Sequence, residues 1–458
     1  MSSISSAMNT ALSALQAQQI LINVANSNIA NASTDGYSRL TAIVSSTNTS
    51  SSSSSTYTGT GVEVIGTNRI SNSFTLKQLC SANADAGELS SELEYLEGIE
   101  AVFDESEGSG LSDALSEFFS AWSDLANDPT GSTERAVLLS DAESLVSTLQ
   151  DMYSDLQDIQ SGIIGDISQT TDDINDITAQ IADLNQKILE GSASGIDTST
   201  YQDERDSLLV ELSSKAGIAY YEDDSGQINV QLSNGAALVI GSNSYDLTAT
   251  NSTIALNGNN ITESISGGEL GGELTSLDTV QGYMADLDAF AVSLADTVNA
   301  LHTTGLDADG NAGVNFFTYD AAAPGVSTLS VNITDINDIA AASTSDSSAI
   351  AIAIAEIQDD TSVTFTKTIS GITTTTTGTF EEYYSSLVSK IGTEVENTTS
   401  SSETQSDLVT YYENYRESVS GVSTDEELAN IVLYQNAYEA AAKVMSVLDE
   451  LLETMINI

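Results

Sequence analysis

The chain has few of the groups that usually carry chemistry. Its 458 residues include one Cys, one His and one Trp, two Pro, and only 11 Lys and Arg against 67 Asp and Glu. Each scarcity excludes something. A lone Cys80 rules out an intrachain disulfide, and only Lys77 lies near it in sequence to activate a thiolate. His302 alone would have to serve any Ser–His–Asp or Cys–His site. It sits at a helix end in "NALHTTG", where capping or packing is the better reading. No G-x-S-x-G, P-loop or dinucleotide fingerprint is present. Trp122 in "EFFSAWSDL" reads as core.

The missing positive charge is as informative. A formal net charge of −56 repels nucleic-acid phosphates and anionic lipid, so neither nucleic acid nor membrane is an expected partner. No apolar run approaches the ~18 residues of a membrane span. The first basic residue is Arg39, so the positive n-region of a cleaved signal peptide is missing. That leaves a cytoplasmic location or export by a route without a cleaved signal. The acids are spread along the chain as a solvated surface. Copies packed side by side would repel one another, and salt or divalent cations should help them assemble.

What is present is periodicity. At the start, Ile4, Met8, Ala11, Leu15, Gln18, Ile22, Ala25 and Ile29 alternate steps of four and three, a heptad stripe. At the other end, Leu428, Ile431, Gln435, Tyr438, Ala442, Met445, Asp449, Leu452 and Ile456 do the same, widened by Leu448 and Met455. Ser423 or Thr424 with Glu426 or Glu427 forms a capping box before that second stripe. Two amphipathic helices in one bundle would give this pattern. Helices at the extremes of a chain, however, have little of it around them, and pair with each other or with other molecules.

Between the ends, 45–60 is a Ser-rich linker. "GVEVIGTNRI" alternates at Val62, Val64 and Ile70 as a short strand. Helical patterns fill 72–212, including long helices over 138–159 and 163–188. Residues 216–267 read as a β meander with turns at 223–226 and Asn234–Gly235. A long helix follows over 268–302, then a mixed α/β region over 318–379 holding strand-like stretches and a helix over 348–358. The last helical stretch starts at Phe380 and has a polar interruption over 397–405. At roughly 100–200 residues per domain, about three domains are expected. Helical ends enclosing β inserts predict a mainly α, elongated multidomain rod whose chain goes out and returns. Its parts are a terminal coiled-coil domain (1–50 with 405–458), a helix-rich body (61–215, 268–317 and 380–404), the β-rich insert and the variable region.

"DADGN", residues 307–311, offers oxygen ligands at alternate positions like a calcium loop. Its Gly comes at the fourth position rather than the sixth, and position twelve is Thr318 rather than Glu. A polar turn is the better reading, and no metal or cofactor is assigned.

The two ends also carry a resemblance. "NIANASTDGYSR" resembles the N-terminal signature of the flagellar axial protein family, and the Ser–Arg after Gly–Tyr resembles its hook-associated members. "LSDALSEFFSAWSDLANDPTGSTERAVLL", "YQDERDSLLVELS", "NALHTTGLDADGNAGVNFF" and the final "YRESVSGVSTDEELANIVLYQNAYEAAAKVMSVLDELLETMI" are similar to that group in kind and order. The chain departs from it at Asp35, where Pro is common, and in its scarcity of Lys. The resemblance implies a structural protein with no catalytic residues, exported unfolded to the hook–filament junction. It implies a ring of copies contacting the hook protein on one side, and a second junction protein and flagellin on the other. A flagellar export chaperone would hold the C-terminal helix. Asn31, Gly36 and Tyr37 in the signature join the two stripes as expected self-assembly residues. The rival readings are an acidic adhesin or surface-layer protein binding calcium at 307–311, and a hydrolase with an unmarked carboxylate pair.

Overall fold

A computed structural model describes residues 2–47, 60–105 and 110–456. Most of the expected linker, 48–59, lies outside the described residues. The first helix, α1, spans Ser2–Ala30. A hairpin of β1 (Leu40–Ser46) and β2 (Val62–Arg69) follows. The strand β1 was not expected, because its second half merges into the serine run. Next come α2 (Ser73–Val102), α3 (Leu111–Asn127), α4 (Ser132–Ser194) and α5 (Ser199–Lys215). The two helices expected over 138–188 are one. α4 has 63 residues, roughly 95 Å at 1.5 Å per residue. Gly162 and Gly165 lie within it facing open space, a modest local cost that the buried isoleucines around them outweigh.

Two small antiparallel sheets then form on the flank of α4. The first has β3 (Ile218–Glu222), β4 (Ile228–Leu232), β5 (Ala237–Ile240) and β6 (Asn243–Ser244) in that order. The second has β7 (Leu247–Thr250), β8 (Thr253–Leu256) and β9 (Asn259–Asn260). Gly226 and Gly235 turn the chain at φ of 80° and 86°, the left-handed region that glycine enters without steric cost. The long α6 (Gly268–His302) returns through the body. The mixed region holds β10 (Phe317–Thr318), α7 (Gly325–Thr328), β11 (Ser330–Val331), α8 (Ala349–Ala355) and a hairpin of β12 (Thr364–Ile369) and β13 (Ile372–Thr377). The helices α9 (Phe380–Ser420) and α10 (Thr424–Ile456) finish the chain.

The polar run over 397–405 does not interrupt α9. Ser401 and Thr404 bond back to carbonyls one turn earlier, and the Gln405 amide donates to the Ala82 carbonyl at 3.2 Å. The break comes instead at 421–423, and Ser423 caps α10 through the Glu426 N–H at 3.4 Å.

The body is a bundle of α2, α4, α6 and α9, with α3 and α5 laid against it. Four asparagines fasten strands to these helices by one device. The side chain of Asn175 accepts from Leu247 N at 2.7 Å and donates to Leu247 O at 2.9 Å. Asn185 does the same with Ile228, at 3.0 and 2.7 Å, and Asn299 with Phe317, at 2.9 Å both ways. Asn28 on α1 does it with Leu40, again at 2.9 Å both ways. Each partner is the first residue of a strand. A primary amide carries one acceptor and two donors in a plane, so it satisfies a strand residue's backbone as a neighbouring strand would.

The groups singled out for chemistry are occupied in packing. His302 is fully buried against Trp122 and Phe316. Ala340 N–H donates to its Nε2 at 2.8 Å, so Nδ1 carries the proton and donates to the Val314 carbonyl at 2.5 Å. Burial holds its pKa below the usual value. Cys80 is buried, and burial pushes its thiol up to about 12, an unreactive state. Asp307 accepts from Asp309 N, Asn311 N and Asn311 Nδ2 at 2.8–3.0 Å. Its carboxylate is thus used by its own turn. Among the described residues no group of three or more His, Cys, Asp or Glu is placed to hold a metal ion. The calcium-binding alternative therefore finds no support.

Candidate assembly site

The terminal helices pack along one another. Arg39, just past the end of α1, pairs with Glu426 and Glu427 in the first turn of α10 at 3.0 and 3.2 Å. The two helices therefore run antiparallel. α1 carries no ionisable side chain over its 29 residues, in a chain where 17% of residues are charged. Its Ala11 and Ala25 are buried, and Ile4, Met8, Leu15, Gln18, Ile22 and Ile29 are half-buried. Small residues let the helix axes approach.

On α10 the covered line is Glu427, Asn430, Tyr434, Ala437, Ala441, Met445, Leu448 and Leu452. The heptad stripe of the sequence crosses this line obliquely. Ile431, Ala442, Met445, Leu448 and Leu452 lie at or beside the seam, whereas Leu428, Gln435 and Tyr438 face outward. The Tyr438 ring, on the heptad stripe, is 39% exposed in the single chain. The cause is geometric. A strict seven-residue repeat drifts by about 20° per heptad around a straight helix of 3.6 residues per turn. The side chain of Ile456 lies outside the described residues. A second row, Leu433, Val444, Val447, Leu451 and Met455, is also uncovered, each residue being 49–62% exposed. The sequence reading named only Met455 of this row, because it followed the other flank.

Below the helix pair, the signature segment forms a joint with the body. Asn28 is 1% exposed. Besides pairing with Leu40, it accepts the Tyr37 hydroxyl at 2.9 Å. Burial raises the Tyr37 pKa, so the phenol stays a donor. Asn31 donates to the Ser27 carbonyl at 3.0 Å and closes the end of α1. Gly36 turns at φ +79°, and a Cβ there would meet Ser207 Oγ on α5. Ser38 N donates to Asp203 at 3.2 Å, and Arg39 N to the Ser420 carbonyl at 2.8 Å. Arg69, closing β2, holds Asp203 at 2.6 Å and also Asp206. Burial disfavours its charge, but the two carboxylates outweigh burial and keep it protonated. One short segment thus ties together α1, the hairpin, α5 and the α9–α10 link.

The comparisons with known proteins cover both this site and the body. Residues 96–317 match the model for the flagellar hook-associated protein FlgK helical domain. Residues 8–37 match the flagella basal body rod protein model, and 416–458 the flagellar basal body rod FlgEFG protein C-terminal model. Flagellar hook-associated protein 1 of Escherichia coli is 28% identical over 99% of this chain and 100% of its own length. The chain is similar to flagellar hook-associated protein 1 over its whole length. The Bacillus subtilis member is 25% identical over 98% of this chain and 97% of its own. The flagellar hook junction protein FlgK from Burkholderia pseudomallei shares the fold, with a TM-score of 0.65 at 17% identity over 75% of this chain and 100% of that one.

In this hook-associated protein 1 relative, the two rod-protein matches fall on the paired ends. The structure brings Ala11, Ala25, Ile431, Met445, Leu448 and Leu452 to one seam, and Asn31, Gly36 and Tyr37 to the joint beneath it. Sequence reasoning passed over Arg69 and Asp203, and it met Arg39 and Glu427 only in the signature and the capping box, not as the pair that connects the two. Four of the chain's five arginines, Arg39, Arg69, Arg205 and Arg416, gather at this joint. In so acidic a chain their spacing could have signalled it.

Proposed function

We propose that the chain is a structural component of the bacterial flagellum that joins hook to filament as a ring of copies. Assembly runs through the terminal helices, residues 4–29 and 425–456. The observation that carries the reading is the uncovered apolar row on α10, Leu433 to Met455, beside an uncharged α1. Burying such a row gives about 25 cal/mol per Å² of apolar surface, and neighbouring copies supply the cover. Leu428 and Tyr438, on the other flank, then meet a different neighbour. Before assembly, the same apolar face is what an export chaperone would hold. The hook protein, a second junction protein and the flagellin side of the filament are the expected neighbours. No catalytic role is assigned: His302, Cys80 and Asp307 are spent on structure.

The test is location. Antibody to the middle region should label isolated flagella in a band at the hook–filament boundary, and a chain lacking 424–458 should leave hooks bare. Label spread over the cell surface, or normal filaments built with the truncated chain, would overturn the reading.

A further inference from the structure

A cleft of about 680 Å³ opens at the joint, among the root of the β1–β2 hairpin, the starts of α2 and α5, and the end of α9. Arg205 and Arg416 both line it. Arg205 is 2% exposed. Its Nη1 donates to Asn185 Oδ1 at 3.1 Å and to the Gly226 carbonyl at 2.7 Å, and its Nε has no partner. Arg416 has neither ion pair nor side-chain hydrogen bond among the described residues. The buried Arg135, by contrast, spends its donors on the carbonyls of Pro129, Ile336 and Ile339.

With about six acids for each base in the chain, guanidinium groups without a carboxylate partner are kept so by geometry. Two of the nearby acids are already engaged, and Asp206 and Glu222 attract the Arg205 charge without pairing with it. Asp206 is held by Arg69, and Asp197 accepts from Ser199 N and the Thr67 hydroxyl. Glu222 stands exposed at the rim. Ser73 and Ser199, the first residues of α2 and α5, also line the cleft, and the positive ends of two helix dipoles add to the field there. The buried, unpartnered Tyr220 hydroxyl lies in the same wall.

We propose that this cleft binds an oxyanion, a phosphate or a carboxylate group, between Arg205 and Arg416. Guanidinium donors suit both groups through paired N–H···O bonds. Bound there, the anion clamps α9 to α5 at the level where the terminal helices leave the body. The whole-chain field opposes anion entry at low salt and is screened as salt rises, so occupancy is expected at moderate ionic strength. The site stands independently of the flagellar role.

The test uses the full chain at fixed ionic strength set with chloride. Line broadening of inorganic phosphate in 31P NMR reports a phosphate site. Saturation transfer from protein to acetate in 1H NMR reports a carboxylate site. Either signal should saturate for the natural chain and weaken about tenfold in Arg416→Gln, as expected for loss of a charge-assisted contact. The charge-matched control Lys443→Gln, on α10, should behave as the natural chain. Arg416 is only half-buried, so the variant should keep its unfolding temperature. Binding of neither probe, or equal binding by Arg416→Gln and the natural chain, would overturn the proposal.

Discussion

Replacing Asn28 with alanine should unfasten the root of the hairpin while leaving the body folded. The side chain makes three hydrogen bonds, two with the Leu40 backbone and one from Tyr37, all at 2.9 Å. Each is worth about 1 kcal/mol net, and more where the orphaned partner stays out of water. The sum is roughly 3 kcal/mol, or a factor of about 150 in the local opening equilibrium. Hydrogen exchange at the Leu40 amide measures that opening directly, because this N–H has Asn28 Oδ1 as its acceptor. The exchange rate should rise by about two orders of magnitude, while amides of α4 and α6 keep their protection. Asn26→Ala on the exposed face of α1 should change nothing. Asn28→Asp keeps the shape but loses the donor and turns a carboxylate toward the Leu40 carbonyl, so near neutral pH its effect should be at least as large. It should ease as acid protonates the new carboxyl. A less than fivefold change for Asn28→Ala, or an equal change for Asn26→Ala, would refute the clamp.

Gly36→Ala should loosen the same joint, by about 1–3 kcal/mol, because a side chain is strained at φ +79° and would press on Ser207; local hydrogen exchange around 36–40 checks it. Glu273 is 1% exposed, and burial, reinforced by Glu269 and Asp166, pushes its pKa from 4.5 up to about 8. The folded chain then keeps a proton that the unfolded chain releases, so stability should fall as pH rises from about 4.5 to about 8 and level off above. Glu273→Gln should flatten that slope in denaturant titrations at pH 5 and pH 8; an unchanged slope would remove Glu273 as its source. Val447→Glu and Tyr438→Asp should block assembly without lowering the single chain's unfolding temperature, since both positions are exposed, whereas Met445→Glu at the seam should lower it. Assembly followed by light scattering should strengthen as salt rises, because copies each carrying −56 repel one another; weaker assembly at high salt would count against that.

The sequence by itself determined what depends on neighbours in the chain. Heptad spacing marked the two terminal helices, and Gly226 and Gly235 marked their turns. The lone Cys80 excluded an intrachain disulfide, and the ends carried the family resemblance on which the structural reading rests. These are local properties, because helical periodicity and turn chemistry act over a few residues. Tertiary structure decided the rest. Asn28 reads in the sequence as a residue that bonds nearby backbone, yet it serves Leu40 twelve residues on. Asn175 reaches Leu247, and Arg69 meets Asp203 and Asp206 on another helix. An amide or a guanidinium has no periodicity that names its distant partner. The seam on α10 was undecided for a related reason: the helix has apolar residues on two flanks, and packing against α1 chose between them. The polar run in α9 looked like a break because its residues favour turns in isolation. Contacts such as Gln405 with Ala82, and the burial of Thr398, hold it helical against that preference.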